Sequence, residues 1–134
     1  MGQPRRRSRP RERDLDIEIG FVEALLRRDP GFTEALEVLG DLYSERGRHG
    51  DAVCIDERLV QLRPEDPNVR YNLACSLALH QEFDRAAAEL GVALELGYRD
   101  VGQLSRDPDL ADLRAHPAFR KVRAKLRALK VPPA

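Results

Sequence analysis

Apolar residues recur at spacings of three and four along most of the chain, which is the spacing of one face of an α-helix. Leu36, Leu39 and Tyr43 form one such stripe, and a second stripe follows after a turn that contains Gly47. The second stripe consists of Ala52, Ile55, Leu59 and Leu62. Pro64 follows it and ends the helix. Two amphipathic helices joined by a short turn predict an antiparallel helical hairpin, and no alternating run predicts a strand.

The hairpin is repeated once. A shift of 34 residues aligns residues 33–66 with residues 67–100 without a gap. Leu39 then falls on Leu73, and Gly40 falls on Ala74. The small residue at the second of these positions lets a neighbouring helix approach closely. Self-similarity at this period is typical of helical solenoids, so we expect two stacked hairpins.

The register continues toward the N-terminus. Ile17, Phe21 and Leu25 form a stripe at four-residue spacing, followed by Asp29 and Pro30. Residues 15–28 are therefore predicted to form an orphan helix, which corresponds to the second helix of an incomplete repeat. The stripe is predicted to be its apolar face. Residues 1–13 are rich in arginine and proline and cannot supply an apolar partner helix. They are predicted to form a basic disordered tail.

The C-terminal part predicts a degenerate third hairpin. Proline follows Asp107 and again follows His116, and each proline interrupts a helix. A final helix is predicted at about residues 117–130. Its apolar stripe consists of Phe119, Val122, Leu126 and Leu129. Lysine and arginine cover its other sides, as expected of a helix that terminates a solenoid. Residues 101–130 are thus assigned to a closing segment and residues 131–134 to a tail.

The spacing of these residues is similar to that of the tetratricopeptide repeat (TPR) family. Leu36, Leu39-Gly40, Tyr43, Ala52 and Pro64 match the pattern of that repeat, which usually has an aromatic residue where Asp56 stands. The residues from Leu96 to Phe119 also resemble the closing segments of bacterial TPR arrays. The resemblance covers residues 14–130. It implies an all-α fold, a short right-handed α-solenoid of antiparallel helix pairs.

Charge is distributed unevenly along a chain whose formal net charge is zero. Residues 1–13 carry a net charge of +5, residues 14–113 carry −12, and residues 114–134 carry +7. An acidic body between two basic ends bears on the choice of partner rather than on the fold.

No constellation in the sequence predicts catalysis, a cofactor or a metal site. The three histidines and two cysteines do not stand at metal-ligand spacings, and no serine has the context of an activated nucleophile. Cys54 and Cys75 are each predicted to be small buried side chains. We therefore expect a protein that is not an enzyme.

The resemblance implies that the first helix of each repeat lines a concave surface that binds a peptide or a partner protein. The residues that this places in the groove are Glu34, Glu37, Val38, Asp41, Glu45, Asn68, Tyr71, Asn72, Cys75 and Leu79. Members that bind chaperone tails have lysine and arginine where this chain has Glu37 and Val38. A carboxylate clamp is therefore disfavoured, and a basic or amphipathic segment is the expected ligand. The competing interpretation is that the groove acids form only a solvated surface.

The basic termini leave a second function open. The alternative function is that of a nucleic-acid or ribosome-associated accessory protein. Such a protein would bind phosphates electrostatically through its basic termini, residues 1–13 and 114–134. No apolar stretch reaches the length of a membrane span, and no apolar segment of a secretory signal follows the first arginines. A cytoplasmic protein is therefore expected, of an oligomeric state that the sequence leaves open.

Overall fold

A computed structural model describes residues 3–133, with side chains from residue 10 onward. Eight α-helices and one 3₁₀ turn follow one another in this range, and no strand occurs within it. The helices are α1 (Gln3–Arg28), α2 (Thr33–Arg46), α3 (His49–Leu62), α4 (Pro67–Leu79), α5 (Phe83–Glu95), α6 (Val101–Arg106), α7 (Ala111–Ala115) and α8 (Phe119–Ala128). The 3₁₀ turn, Pro108–Leu110, lies between α6 and α7. No helix of residues 3–133 has the length and apolar composition that a membrane crossing requires.

The helix pairs α2–α3 and α4–α5 are the two predicted hairpins. Gly47 ends α2 with a positive φ of 83°, and the N–H of Arg48 donates to the carbonyl of Tyr43. Glycine is favoured there because it has no Cβ to clash in the left-handed conformation. Asp66 begins α4 by accepting hydrogen bonds from the next helical N–H groups, with Pro67 in the first helical position.

Successive helices pack side by side, α1 on α2 and onward to α5, and α8 packs on α5. Leu36 and Leu39 are buried in a cluster shared by α1, α2 and α3. Leu73, Leu77 and Leu90 belong to a second cluster that extends into the closing helices. The molecule is thus a short right-handed α-solenoid of antiparallel helix pairs, as predicted.

The first helix differs from the prediction at its start. Its backbone is helical from Gln3, where the sequence predicted a disordered tail over residues 1–13 and a helix from residue 15. Arginine and glutamate are good helix formers, so a helix anchored at its C-terminal half extends into such a segment at little cost. Pro10 lies inside this extension. Met1 and Gly2, the start of the predicted tail, lie outside the described residues.

The predicted apolar face of this helix was wrong. Ile17, Phe21 and Leu25 are exposed by 70%, 66% and 36%, respectively. The buried residues are instead Leu15, Ile19, Val22 and Leu26. The predicted set is spaced by four residues and the buried set by three and four, so the helix carries two apolar stripes. Periodicity does not determine which of two stripes a helix buries, and α2 covers only one.

The closing segment extends the second cluster. Leu104, Leu110, Leu113 and Val122 are buried, while Leu126 and Leu129 are partly buried at the edge of the same cluster. Asp100 and Asp107 start α6 and the 3₁₀ turn by accepting hydrogen bonds from the N–H groups of Gln103 and Asp109. The last helix runs over Phe119–Ala128, within the predicted limits. Its other side is polar, so it leaves no apolar stripe facing outward.

Candidate functional site

A pocket of about 270 Å³ opens between α2 and α4. Its walls come from α2, α3 and α4 and, on one side, from Gln103 and the residues around the 3₁₀ turn. Five carboxylates line it: Glu37, Asp41, Asp56, Asp107 and Asp109. We call this space the acidic pocket.

Half of the predicted groove residues line the acidic pocket. They are Glu37, Asp41, Tyr71, Asn72 and Cys75. The other five predicted residues, Glu34, Val38, Glu45, Asn68 and Leu79, are not part of its walls. Glu34 accepts a hydrogen bond from the neighbouring Thr33, and Val38 is half exposed on α2. The pocket therefore occupies only part of the predicted groove.

Tyr71 and Cys75 form the buried wall of the pocket. The ring of Tyr71 stacks on that of Tyr98, with 4.4 Å between centroids and 7° between planes. Its hydroxyl donates to Asp107 Oδ2 over 2.8 Å, and the Cys75 Sγ lies 3.8 Å from the same oxygen. Burial, aided by the nearby Asp107 carboxylate, raises the pKa of the Cys75 thiol above its ordinary value. The thiol is therefore protonated at neutral pH and is a poor nucleophile.

Asp56 is one of three pocket acids that sequence reasoning missed. It stands in the apolar stripe of α3, is only 6% exposed, and accepts the hydroxyl hydrogen of Ser76 at 2.6 Å. Its Oδ1 lies 2.8 Å from where a Cβ on Gly40 would stand, so the glycine makes room for it. Burial raises the pKa of Asp56 to about 6, against the lowering effect of the Ser76 hydrogen bond. The signal in the sequence was a carboxylate at a position where the repeat pattern places an aromatic residue.

Asp107 and Asp109 reach the pocket because the closing segment folds back against α4. Asp107 Oδ1 accepts the N–H of Asp109, and its Oδ2 accepts the Tyr71 hydroxyl. Burial raises the pKa of Asp109, the Asp107 charge adds to this effect, and His49 opposes it. The pKa of Asp41 is also raised, mainly by burial and in addition by the charge of Glu37. These residues are distant in sequence from α2, and no local pattern indicated their contribution.

Few cations balance these acids. Among residues 10–133, Arg63 pairs with Glu37 at 2.8 Å, and no lysine or arginine forms an ion pair with Asp41, Asp56, Asp107 or Asp109. At the outer end of α2, Glu45 is paired with Arg11 of α1. Two predicted groove acids, Glu37 and Glu45, are therefore paired with arginines. The pocket also contains three acids that were not predicted, namely Asp56, Asp107 and Asp109. An acidic cavity with so few cations attracts a positively charged group.

Three potential metal ligands cluster in the pocket wall. One donor atom each from Cys75, Asp107 and Asp109 lies within 4.8 Å of the others. The Asp107 oxygens already accept hydrogen bonds from Tyr71 and the chain, and the thiol is protonated. The contacts of Asp107 with Tyr71 and with the Asp109 N–H account for the position of these side chains as wall residues.

Cys54 departs from its prediction. It is exposed on α3, whereas Cys75 is buried as expected. Both cysteines are free thiols and form no disulfide within the described residues.

The comparisons with known proteins agree with the fold. No family model matches the chain. Over 115 residues it is 28% identical to a protein of Arabidopsis thaliana whose name describes it as chloroplastic. This match covers 84% of the chain and 33% of that protein, so the chain spans about a third of the length of this relative. The solved structure of MamA MSR-1 C2, a TPR-containing protein, superposes with a TM-score of 0.61 at 21% identity. The superposition covers 86% of this chain and 69% of that one, which establishes a TPR-like helical fold.

Proposed function

We propose that the chain is a non-catalytic scaffold that binds a basic or amphipathic segment of a partner protein in its concave groove. The observation that supports this most is the acidic pocket, in which five carboxylates face a single cationic partner among residues 10–133, Arg63. TPR-like folds generally act through protein interaction, which favours the same function class.

The pocket suits a lysine or arginine side chain. Asp41 and Asp109 contribute carboxylates at its walls, and Asp56 contributes one at its buried base. A buried carboxylate without a cation is unfavourable, and a charge-assisted hydrogen bond to an ammonium or guanidinium would relieve that cost. The gain appears only on binding, because the chain supplies no such group to Asp56 among its described residues.

The rest of the predicted groove would hold the ligand on either side of that side chain. Asn72 is exposed at the pocket and is available to bond a peptide backbone. Val38 and Leu79 offer apolar surface beyond it, which suits the apolar face of an amphipathic segment. Tyr71 and Cys75 would support the site from behind rather than contact the ligand.

We also propose that residues 14–130 act as one interaction domain and that residues 101–130 close a short array of the bacterial type. The support for this closing role is that α8 packs on α5 and presents a polar outer side. The cytoplasmic location stays a prediction from the sequence. We do not propose the nucleic-acid function, because the comparisons lend it no support.

Fluorescence anisotropy with a labelled oligolysine peptide tests the groove. The variant Asp41→Asn with Asp109→Asn removes two pocket charges, and we expect it to weaken binding at least about tenfold. The matched control, Glu65→Gln with Asp84→Asn, removes two exposed charges that lie outside the pocket. Equal weakening by both pairs would show that only net charge matters, and binding unchanged by the pocket pair would rule out the proposed site.

A further inference from the structure

An apolar groove lies at the C-terminal end of the solenoid. It is a cavity of about 530 Å³, open to solvent, between α6, α8 and residues 131–133. Its apolar walls include Val101, Leu104, Phe119 and Leu126. We call this cavity the C-terminal groove. Its volume lies in the range of about 300–1,000 Å³ that is typical of small-molecule sites, which are also mostly apolar.

Three arginines line the C-terminal groove, namely Arg114, Arg123 and Arg127. No aspartate or glutamate of residues 10–133 is among its wall residues. Arg114 donates hydrogen bonds to the backbone carbonyls of Leu104 and Asp107, at 3.1 and 2.8 Å, which fixes its guanidinium at the wall. The groove therefore combines an apolar lining with positive charge that no carboxylate of its described walls balances.

The arginines of α8 have no acidic partner in the described part of the chain. Arg123 and Arg127 are one helical turn apart, and like charges at that spacing repel each other. Neither forms an ion pair with a carboxylate of residues 10–133, whereas Lys125 on the same helix pairs with Glu95 at 2.6 Å. The Arg123 guanidinium lies over the ring of Phe119, 5.0 Å from its centroid, and so borders the apolar wall. An anion bound at this edge would reduce the repulsion.

We propose that the C-terminal groove binds a medium-chain fatty acid, with its alkyl chain against the apolar walls and its carboxylate at the arginines. A guanidinium binds a carboxylate through two parallel N–H···O bonds, so Arg123 and Arg127 suit this head group. The apolar walls supply the rest of the affinity, because each methylene removed from water strengthens binding roughly fourfold.

The dimensions of the groove favour a small molecule over a protein segment. Its α8 wall, from Phe119 to Arg127, rises roughly 12 Å. An extended peptide would place only about four residues along that length, far fewer than a stable protein interface uses. A small ligand also leaves the polar outer side of α8 uncovered, so this helix still closes the array. The groove shares no wall residue with the acidic pocket, so its ligand is independent of the basic partner segment.

Isothermal titration calorimetry with octanoate and decanoate, each below its critical micelle concentration, tests this site. The full chain should bind one molecule of either, and decanoate should bind about tenfold more tightly because it buries two more methylenes. Octanamide, the neutral isostere of octanoate, should bind at least about tenfold more weakly than octanoate. Absence of saturable decanoate binding, or equal binding of octanoate and octanamide, would overturn the proposal.

Two pairs of substitutions test the position of the carboxylate. Arg123→Gln with Arg127→Gln removes two groove cations and should weaken decanoate binding at least about tenfold. The matched control, Arg120→Gln with Lys121→Gln, removes two exposed cations of α8 that lie outside the groove, and it should change binding little. Equal weakening by both pairs would show that only net charge matters, and the proposed site would be wrong.

Methyl NMR spectra recorded with decanoate show where the alkyl chain lies. Signals of Leu104 and Leu126 should shift, and those of Ile17 and Leu25 in the exposed stripe of α1 should not. Shifts at Ile17 and Leu25 instead would mean adsorption to exposed apolar side chains and would overturn the proposal. If circular dichroism shows loss of helix in the arginine pair, Ser105→Trp replaces it, since it fills the groove and keeps the charges. Undiminished decanoate binding by folded Ser105→Trp would refute the site equally.

Discussion

Replacement of Asp56 by asparagine should stabilise the protein at neutral pH and not at pH 4. The pKa of this carboxyl rises from 3.8 to about 6 on folding because the group is buried. As pH rises from about 4 to about 6, the unfolded chain loses this proton while the folded chain retains it. Stability therefore falls through this window, and it is lowest above pH 6, where both states are ionised. A shift of this size corresponds to about 3 kcal/mol in the free energy of unfolding.

Asparagine removes the charge and keeps the contact. Its amide oxygen still accepts the Ser76 hydroxyl, so the buried hydrogen bond at 2.6 Å has a replacement acceptor. We expect Asp56→Asn to gain up to about 3 kcal/mol relative to the parent between pH 4 and pH 7. Urea unfolding followed by circular dichroism at pH 4, 5, 6 and 7 measures this difference.

The matched control is Glu65→Gln, which removes an exposed charge in the α3–α4 connection. Its stability difference from the parent should change little with pH. The reasoning is refuted if the difference between Asp56→Asn and the parent is the same at pH 4 and pH 7. Such a result would mean that burial does not perturb this carboxyl, and the cation preference assigned to the acidic pocket would lose its main physical support.

Three further predictions concern packing and thiol reactivity. Leu73→Ala removes a buried side chain from the second cluster and should cost about 2–5 kcal/mol in urea unfolding; an unchanged midpoint would contradict the repeat register. Gly40→Ala places a Cβ 2.8 Å from Asp56 Oδ1 and should cost about 1–3 kcal/mol by the same measurement, whereas Gly40→Ala in an Asp56→Ser background should cost less. With a thiol-specific reagent, the exposed Cys54 should react in the native protein and the buried Cys75 only in urea, so rapid labelling of both would contradict the burial of Cys75.

The sequence by itself determined the fold class, the repeat length and the hairpins. These follow from local spacing, since Leu36, Leu39 and Tyr43 share one helix side whatever surrounds them. Glycine and proline positions likewise predicted where helices end, because their backbone preferences act on one or two residues. The acids of α2 were identified from the resemblance to the TPR family, which implies that the first helix of each repeat lines the concave surface.

Only the tertiary structure decided which surfaces face each other. The α1 helix has two apolar stripes, and the position of α2 selected Leu15 and Ile19 over Ile17 and Phe21. The acidic pocket depends on the closing segment, which brings Asp107 and Asp109 to α4 from more than thirty residues away in the chain. The burial of Asp56 depends on its facing Gly40 and Ser76 across three helices. Contacts between distant segments leave no periodic trace in a sequence, because they depend on how whole helices pack rather than on the spacing of residues within one.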